Sequence, residues 1–293
     1  MGDAIYALPE NVDASTLFWN KDLFREAGLD PEAPPTTFEE IIEYSKAITA
    51  LGDGKYGFYF AGQCAGCTTY SFSPLVWASG GDYASEDGTT STMADPAMEA
   101  AVGLYKTLWE DGLIEPGAQS DTGANWVSAF GSGNIGIEPM GAFAIGALRA
   151  DFPDVDFGVA PLPGEDGGVS SDIGGDVIGI PAGSKNPEEA WEFIEWSLTE
   201  EAQLEVYAAN GALVARSDLI DNEYSADDAN ITAQNEAVDL GRLPVHYENN
   251  HRQILASTGP WFLAIRAAVF EGVSLDDALK QADVETQKLI DRP

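Results

Sequence analysis

Two cysteines in the stretch CAGC, Cys64 and Cys67, and two histidines, His246 and His251, are the residues of this chain best suited to metal or redox chemistry. C-x2-C with H-x4-H is the ligand inventory of a zinc site, but the two halves lie far apart in sequence, so convergence would depend wholly on the fold. A reactive dithiol needs a helix start that lowers a thiol pKa, and TTYSFSP after Cys67 does not read as one. A short-loop disulfide in an exported protein is the first reading of CAGC, and a pair of buried free thiols the second. GSGNIG, from Gly131 to Gly136, has the G-x-G-x-x-G spacing of a dinucleotide loop. That loop must follow a strand and open a helix, whereas NWVSAF before it is helical in character and IGIEPM at its end is strand-like, so a Gly-rich helix stop is expected. No G-x-S-x-G, H-E-x-x-H or Walker-type motif occurs, and paired carboxylates arise by chance in so acidic a sequence. No catalytic residue, metal or cofactor is therefore expected.

Charge is the most extreme property: 14 Lys and Arg stand against 49 Asp and Glu, a net of −35 over 293 residues. Nucleic acid and anionic lipid are excluded as partners by simple repulsion. The acids are dispersed rather than gathered in a tail, and a hydrophobic content of 44% is that of a folded chain. Such a surface repels itself in dilute salt and is screened at molar salt, where the Debye length falls to about 3 Å, which is the expectation for a halophile. The longest apolar run, Trp261 to Phe270, carries Arg266 and falls well short of the ~18 residues that span a bilayer. Met1-Gly2-Asp3 opens no signal peptide.

Helices and strands alternate along the chain. Thr37 with Glu40 forms a capping box that starts a helix over Phe38 to Ala50. Asp95-Pro96 starts a second with Met98, Ala101, Val102, Tyr105, Leu108 and Trp109 on one face; Asn186-Pro187 starts a third, and Ser274 with Asp277 the last. Apolar runs at Ile5 to Leu8, Leu17 to Trp19, Phe157 to Ala160 and Val177 to Ile180 read as strands. This is an α/β pattern, for which a mostly parallel sheet is expected.

AIYALPENVDASTLFWNKDLFREAGLDPEAPPTTFEEI resembles the segment of carbohydrate-binding proteins of ABC importers that runs from a lobe-crossing strand into the second lobe. FSPLVWASGGDY, FGSGNIGIEPMGAFAIGAL, FGVAPLPG, GGDVIGIPAGSKNPEEAWEFIEWSL and GVSLDDALKQADVETQKLI follow in the order of that family's blocks, and the whole chain is similar to its maltodextrin-binding group. The resemblance implies a two-lobe clamshell of periplasmic-binding-protein type with an incomplete first lobe: residues 1–14 crossing between lobes, 15–157 and 207–293 forming the second lobe, and 158–206 a remnant of the first. On this reading roughly 100 residues of first lobe, and any export signal or anchor, would lie outside the sequence. Trp191, Phe193 or Ile194 on the helix from Pro187 would then be exposed. The function implied is capture of a sugar or oligosaccharide at the cell surface by a monomer that delivers it to an ABC permease. Together with the charge, this resemblance would imply a haloarchaeal source. A glycoside-processing enzyme and a sugar sensor without transport are the alternatives.

A sugar offers apolar C–H faces and a rim of hydroxyls, so its receptor needs aromatic platforms and polar side chains. By position, Tyr70, Phe143 and the pair Trp261-Phe262 match the family's stacking aromatics, each expected at a turn. Asp13 matches a carboxylate that binds sugar hydroxyls. Gly174, Gly175 and Asp176 match the returning first-lobe segment, where glycines let a ligand approach the backbone.

The charge generates a first prediction. The thermal unfolding midpoint should fall steeply as salt is diluted from molar to ~0.1 M; a midpoint flat across that range would remove the halophile reading.

Overall fold

The run NVDASTLFWN forms a single ten-residue strand whose first three residues are half-buried and whose remaining seven are fully buried. This strand organises the computed structural model, which describes residues 5–245, 247 and 249–292. In chain order the strands are β1 (Leu8–Pro9), β2 (Asn11–Asn20), β3 (Tyr56–Phe58), β4 (Ile135–Gly141), β5 (Phe157–Pro163), β6 (Val169–Gly174), β7 (Val177–Ile178), β8 (Leu213–Val214) and β9 (Gly241–Arg242). The helices are α1 (Lys21–Glu26), α2 (Phe38–Thr49), α3 (Ala65–Ala78), α4 (Pro96–Glu110), α5 (Trp126–Gly131), α6 (Phe143–Asp151), α7 (Pro187–Ser197), α8 (Glu200–Ala202), α9 (Ala229–Asp239), α10 (His251–Ile254), α11 (Pro260–Phe270) and α12 (Leu275–Ile290).

The main sheet runs β3-β4-β2-β5-β6-β9, and β8 also pairs with β2. Four strands meet β2 antiparallel: β4 along Ser15 to Trp19, β5 along Thr16 to Asn20, β6 at Asp13 and Ala14, and β8 at Asn11 and Val12. Only β3 with β4 and β6 with β9 are parallel in this sheet. The expected mostly parallel sheet is therefore corrected. Strand–helix alternation is blind to the direction of β2, which runs against its neighbours and is fed by none of the crossovers that would align them. Residue 157, where the lobe boundary is expected, is the first residue of β5, which pairs with β2 and with β6. Ile5 to Leu8 is largely outside any strand, and β1 makes only a two-residue ribbon with β7.

Helix starts follow the sequence closely. Thr37 accepts the Glu40 amide, and Glu40 returns its carboxylate to the amide and hydroxyl of Thr36, one residue before the position expected. Asp95-Pro96 and Ser274 open α4 and α12. GSGNIG links the end of α5 to β4, a helix stop before a strand.

The helix α3 was not legible. Its polar residues are accommodated by back-bonding: Thr68, Thr69, Ser71 and Ser73 donate hydroxyls to the carbonyls four residues earlier. Pro74 lies inside this helix and has no N–H, so the Tyr70 carbonyl loses its helical partner; the Ser15 hydroxyl of β2 donates to it instead. The interruption that hides the helix in the sequence ties it to the central strand.

Around the sheet the core is aromatic. Tyr105 meets Phe58, Phe60 and Phe72 edge-on, and Phe18 stacks on Phe157. Trp261 and Phe262, in the first turn of α11, are each 1% exposed, with Trp261 edge-on to Tyr83. On α7 Trp191 and Phe193 are exposed, whereas Ile194 is buried. Phe262→Ala should lower the unfolding free energy by ~3–5 kcal/mol in denaturant titrations, the cost of emptying a core site; a loss below ~1 kcal/mol would place the ring outside the core.

Candidate functional site

Asp13 is the last half-exposed residue of β2 before the strand enters the core. Its Oδ1 accepts the Ala14 amide at 2.8 Å and the Ala142 amide, at the turn where β4 passes into α6. Burial pushes the carboxyl up to about 6, opposed by the amides of Ala142 and Ala14 and by the Tyr70 hydroxyl. Asp13 thus joins two elements and keeps an acid in a partly desolvated place.

A cavity of about 150 Å³ opens beside it, lined by Asn11, Val12, Asp13, Ala142, Phe143, Gly175, Asp176, Ala212 and Leu213. Four expected residues therefore converge: Asp13, Phe143, Gly175 and Asp176. Phe143 is the first residue of α6 and 44% exposed, its ring 5.4 Å from that of Trp126. Gly175 has φ +122°, and a methyl there would lie 2.4 Å from the Asn11 carbonyl, so no other residue fits. Asp176 and Asn11 bond reciprocally, Asn11 Nδ2 to Asp176 Oδ2 at 3.0 Å and the Asp176 amide to Asn11 Oδ1 at 2.9 Å. Larger grooves, of about 520 and 650 Å³, lie on the outer faces of α11–α12 and α2–α4, away from these residues.

Tyr70 stands behind Asp13 rather than in the cavity lining, and it sits in the body of α3, not at a turn. Its ring lies over Gly174, where a methyl would come within 3.0 Å of Cε2. Gly174 pairs with Asp13, so Asp172, two residues back on β6, shares that sheet face. The Tyr70 hydroxyl is buried near the carboxyl groups of both, and burial and their charges push its pKa upward. No hydrogen bond of good geometry satisfies it among the described residues. Asp172 itself is 5% exposed, and burial raises its pKa to about 8.

Trp261 and Phe262 are not brought to this cavity, and their expected place at a turn as stacking platforms is corrected: the first turn of α11 points both rings into the core. The sulfurs of Cys64 and Cys67 are bonded to each other as a disulfide, the first reading of CAGC. His246 lies outside the described residues, and His251 packs against Tyr247. Sequence reasoning missed Asn11, Trp126 and Asp172. Asn11 had a signal, since strand alternation puts it on the same face as Asp13; Trp126 and Asp172 had none.

Residues 1–204 match the family model of bacterial extracellular solute-binding proteins. The chain belongs to that family. Members similar to it are a binding protein of Brucella abortus, 28% identical over 78% of this chain and 55% of its own, and the maltotriose-binding protein of Pyrococcus abyssi, 25% identical over 80% and 49%. The chain spans about half the length of the curated relatives it matches. Among solved structures, a solute-binding protein of Thermotoga lettingae bound to tagatose superposes with a TM-score of 0.86 at 23% identity, covering 97% of this chain and 72% of that one. The GacH receptor of Streptomyces glaucescens, determined unliganded and with acarbose, gives 0.81 at 26% identity, covering 99% and 72%. The fold is thus the α/β fold of periplasmic-binding-protein type, and the family is one of extracellular solute-binding proteins.

Asp172 generates a pH prediction. Its carboxyl titrates near 8 when folded and near ~3.9 when unfolded, so between those values the folded state holds the extra proton. The stability this group contributes is fully present below ~4 and is lost as pH rises through 8. Asp172→Asn buries no charge; it should match the parent within ~1 kcal/mol at pH 4 and exceed it by ~1–3 kcal/mol at pH 9 in urea unfolding. Equal differences at the two pH values would show a hydrated carboxylate.

Proposed function

We propose that this solute-binding protein captures a neutral sugar or oligosaccharide and delivers it to the membrane permease of an ABC importer. The observation that carries the reading is the convergence of Asp13, Phe143, Gly175 and Asp176 on one cavity beside the strands that cross the molecule. A half-exposed ring supplies a platform for a sugar face, and two carboxylates supply acceptors for its hydroxyls. The cavity of about 150 Å³ is smaller than the ~300–1,000 Å³ of a complete ligand pocket, so Asp13 and Phe143 from one lobe and Gly175 and Asp176 from the start of the other form only part of the site, which is completed when the two lobes close. Residues 175–206, with α7, are assigned to that other lobe, and the exposed Trp191, Phe193 and Trp196 give it a packing face. The protein works as a monomer at the outer cell surface of a halophile, binding its ligand without turning it over. Relatives named for maltotriose, diacetylchitobiose and galactooligosaccharide binding support the ligand class.

A thermal-shift screen of mono- and oligosaccharides in molar KCl tests this directly, because a ligand that binds only the folded state raises the midpoint. A rise with at least one sugar is expected; none across the panel would sink the proposal. Phe143→Ala should weaken the positive sugar by ~1 kcal/mol or more while changing the unliganded midpoint little.

A further inference from the structure

The Cys64–Cys67 disulfide lies outside the site, yet it touches the helix that bears Tyr70 and the loop that precedes Trp126. Cys64 is the N-cap of the 14-residue helix α3, and its Sγ accepts the Cys67 amide at 3.1 Å. Tyr70 follows Cys67 by one turn of the same helix. On the opposite side both sulfurs press on Gly123, which has φ +97°; a methyl there would stand 2.9 Å from Cys67 Sγ and 3.2 Å from Cys64 Sγ. Gly123 belongs to a loop drawn tight on Asp121, whose Oδ1 accepts the amides of Gly123 and Asn125 and whose Oδ2 accepts the Tyr59 hydroxyl. The loop leads directly into Trp126, the ring that packs on Phe143. The two sulfurs are therefore a wedge between the helix that bears Tyr70 and the loop that supports Phe143.

We propose that Cys64–Cys67 is a redox-active disulfide, open to exchange with a dithiol, whose reduction loosens the Tyr70 and Phe143 side of the binding site. Both cysteines are half-buried and so within reach of a small reagent. A dithiol thiolate attacks Cys67 Sγ, the S–S bond breaks, and Cys64 leaves as a thiolate. The reagent's second thiolate then displaces Cys67 and the reagent departs as a cyclic disulfide, so two electrons and the reagent's two protons pass to the protein. Cys64 is the favoured leaving group because the Cys67 amide, in the first turn of α3, donates to its sulfur. The coupling to ligand rests on the function proposed above; the thiol chemistry does not.

The test uses the full chain in molar salt. Millimolar dithiothreitol should reduce the disulfide while circular dichroism stays native. Iodoacetamide alkylation of reduced Cys64 should show a midpoint at least one unit below the ordinary thiol value of ~8.5, with Cys67→Ser assigning that midpoint to Cys64. Hydrogen exchange over residues 121–126 should quicken at least tenfold on reduction. A bond that opens only on unfolding, a Cys64 midpoint at or above the ordinary value, or unchanged exchange over 121–126 overturns the proposal. Maltotriose is then titrated into both forms. Binding at least tenfold weaker in the reduced form supports the coupling, and equal affinity overturns it. If neither form binds any sugar, the ligand reading fails and the alkylation and exchange results still decide the redox proposal.

Discussion

Strand β2 must satisfy every backbone amide and carbonyl over ten residues while passing from a half-exposed edge into the centre of the sheet. Four strands pair with it in succession, and each pairing fixes something at the site. Pairing with β4 brings Gly141 opposite Ser15, so that Ala142 reaches Asp13. Pairing with β6 sets Gly174 opposite Asp13, and β8 brings Leu213 against Val12. The site lies where the strand leaves the core, because only there can a carboxylate be partly desolvated and still meet a ligand.

Surface and interior treat charge in opposite ways. The ion pairs, such as Lys46 with Asp111 and Lys280 with Asp276, lie on the exposed surface and contribute little each. Inside, Asp172 and Glu138 are withdrawn from water, and neither Glu138 oxygen has a partner among the described residues. Burial raises both pKa values, that of Asp172 to about 8, and so favours the neutral acid over a buried anion at each. Salt that screens the surface does not reach these groups, so the salt and pH responses of the fold have separate origins.

The helix α3 couples packing to recognition. A helix rich in Ser and Thr and broken by Pro has poor intrinsic propensity, yet the bond from Ser15 to the Tyr70 carbonyl and the cap at Cys64 fix it at both the middle and the start. Tyr70 is therefore placed by β2 rather than by its own helix. The same strand thus holds Asp13 and the ring beside it.

Much was legible in the residues themselves. The starts of α2 and α12 were legible because a side-chain cap is a local hydrogen bond between near neighbours, and those of α4 and α7 because each has proline at its first position. The order of family blocks points to the class of protein, and of the residues it singles out, Asp13, Phe143, Gly175 and Asp176 line one cavity. Strand direction, the helix through Pro74 and the fate of Trp261 and Phe262 were not legible. An aromatic after a Gly-Pro turn looks the same whether it faces a cavity or a core, and a proline reads as a break unless a distant hydroxyl takes the carbonyl it frees. Those outcomes rest on partners far away in sequence, Ser15 for Tyr70 and Tyr83 for Trp261, so only the tertiary structure could decide them.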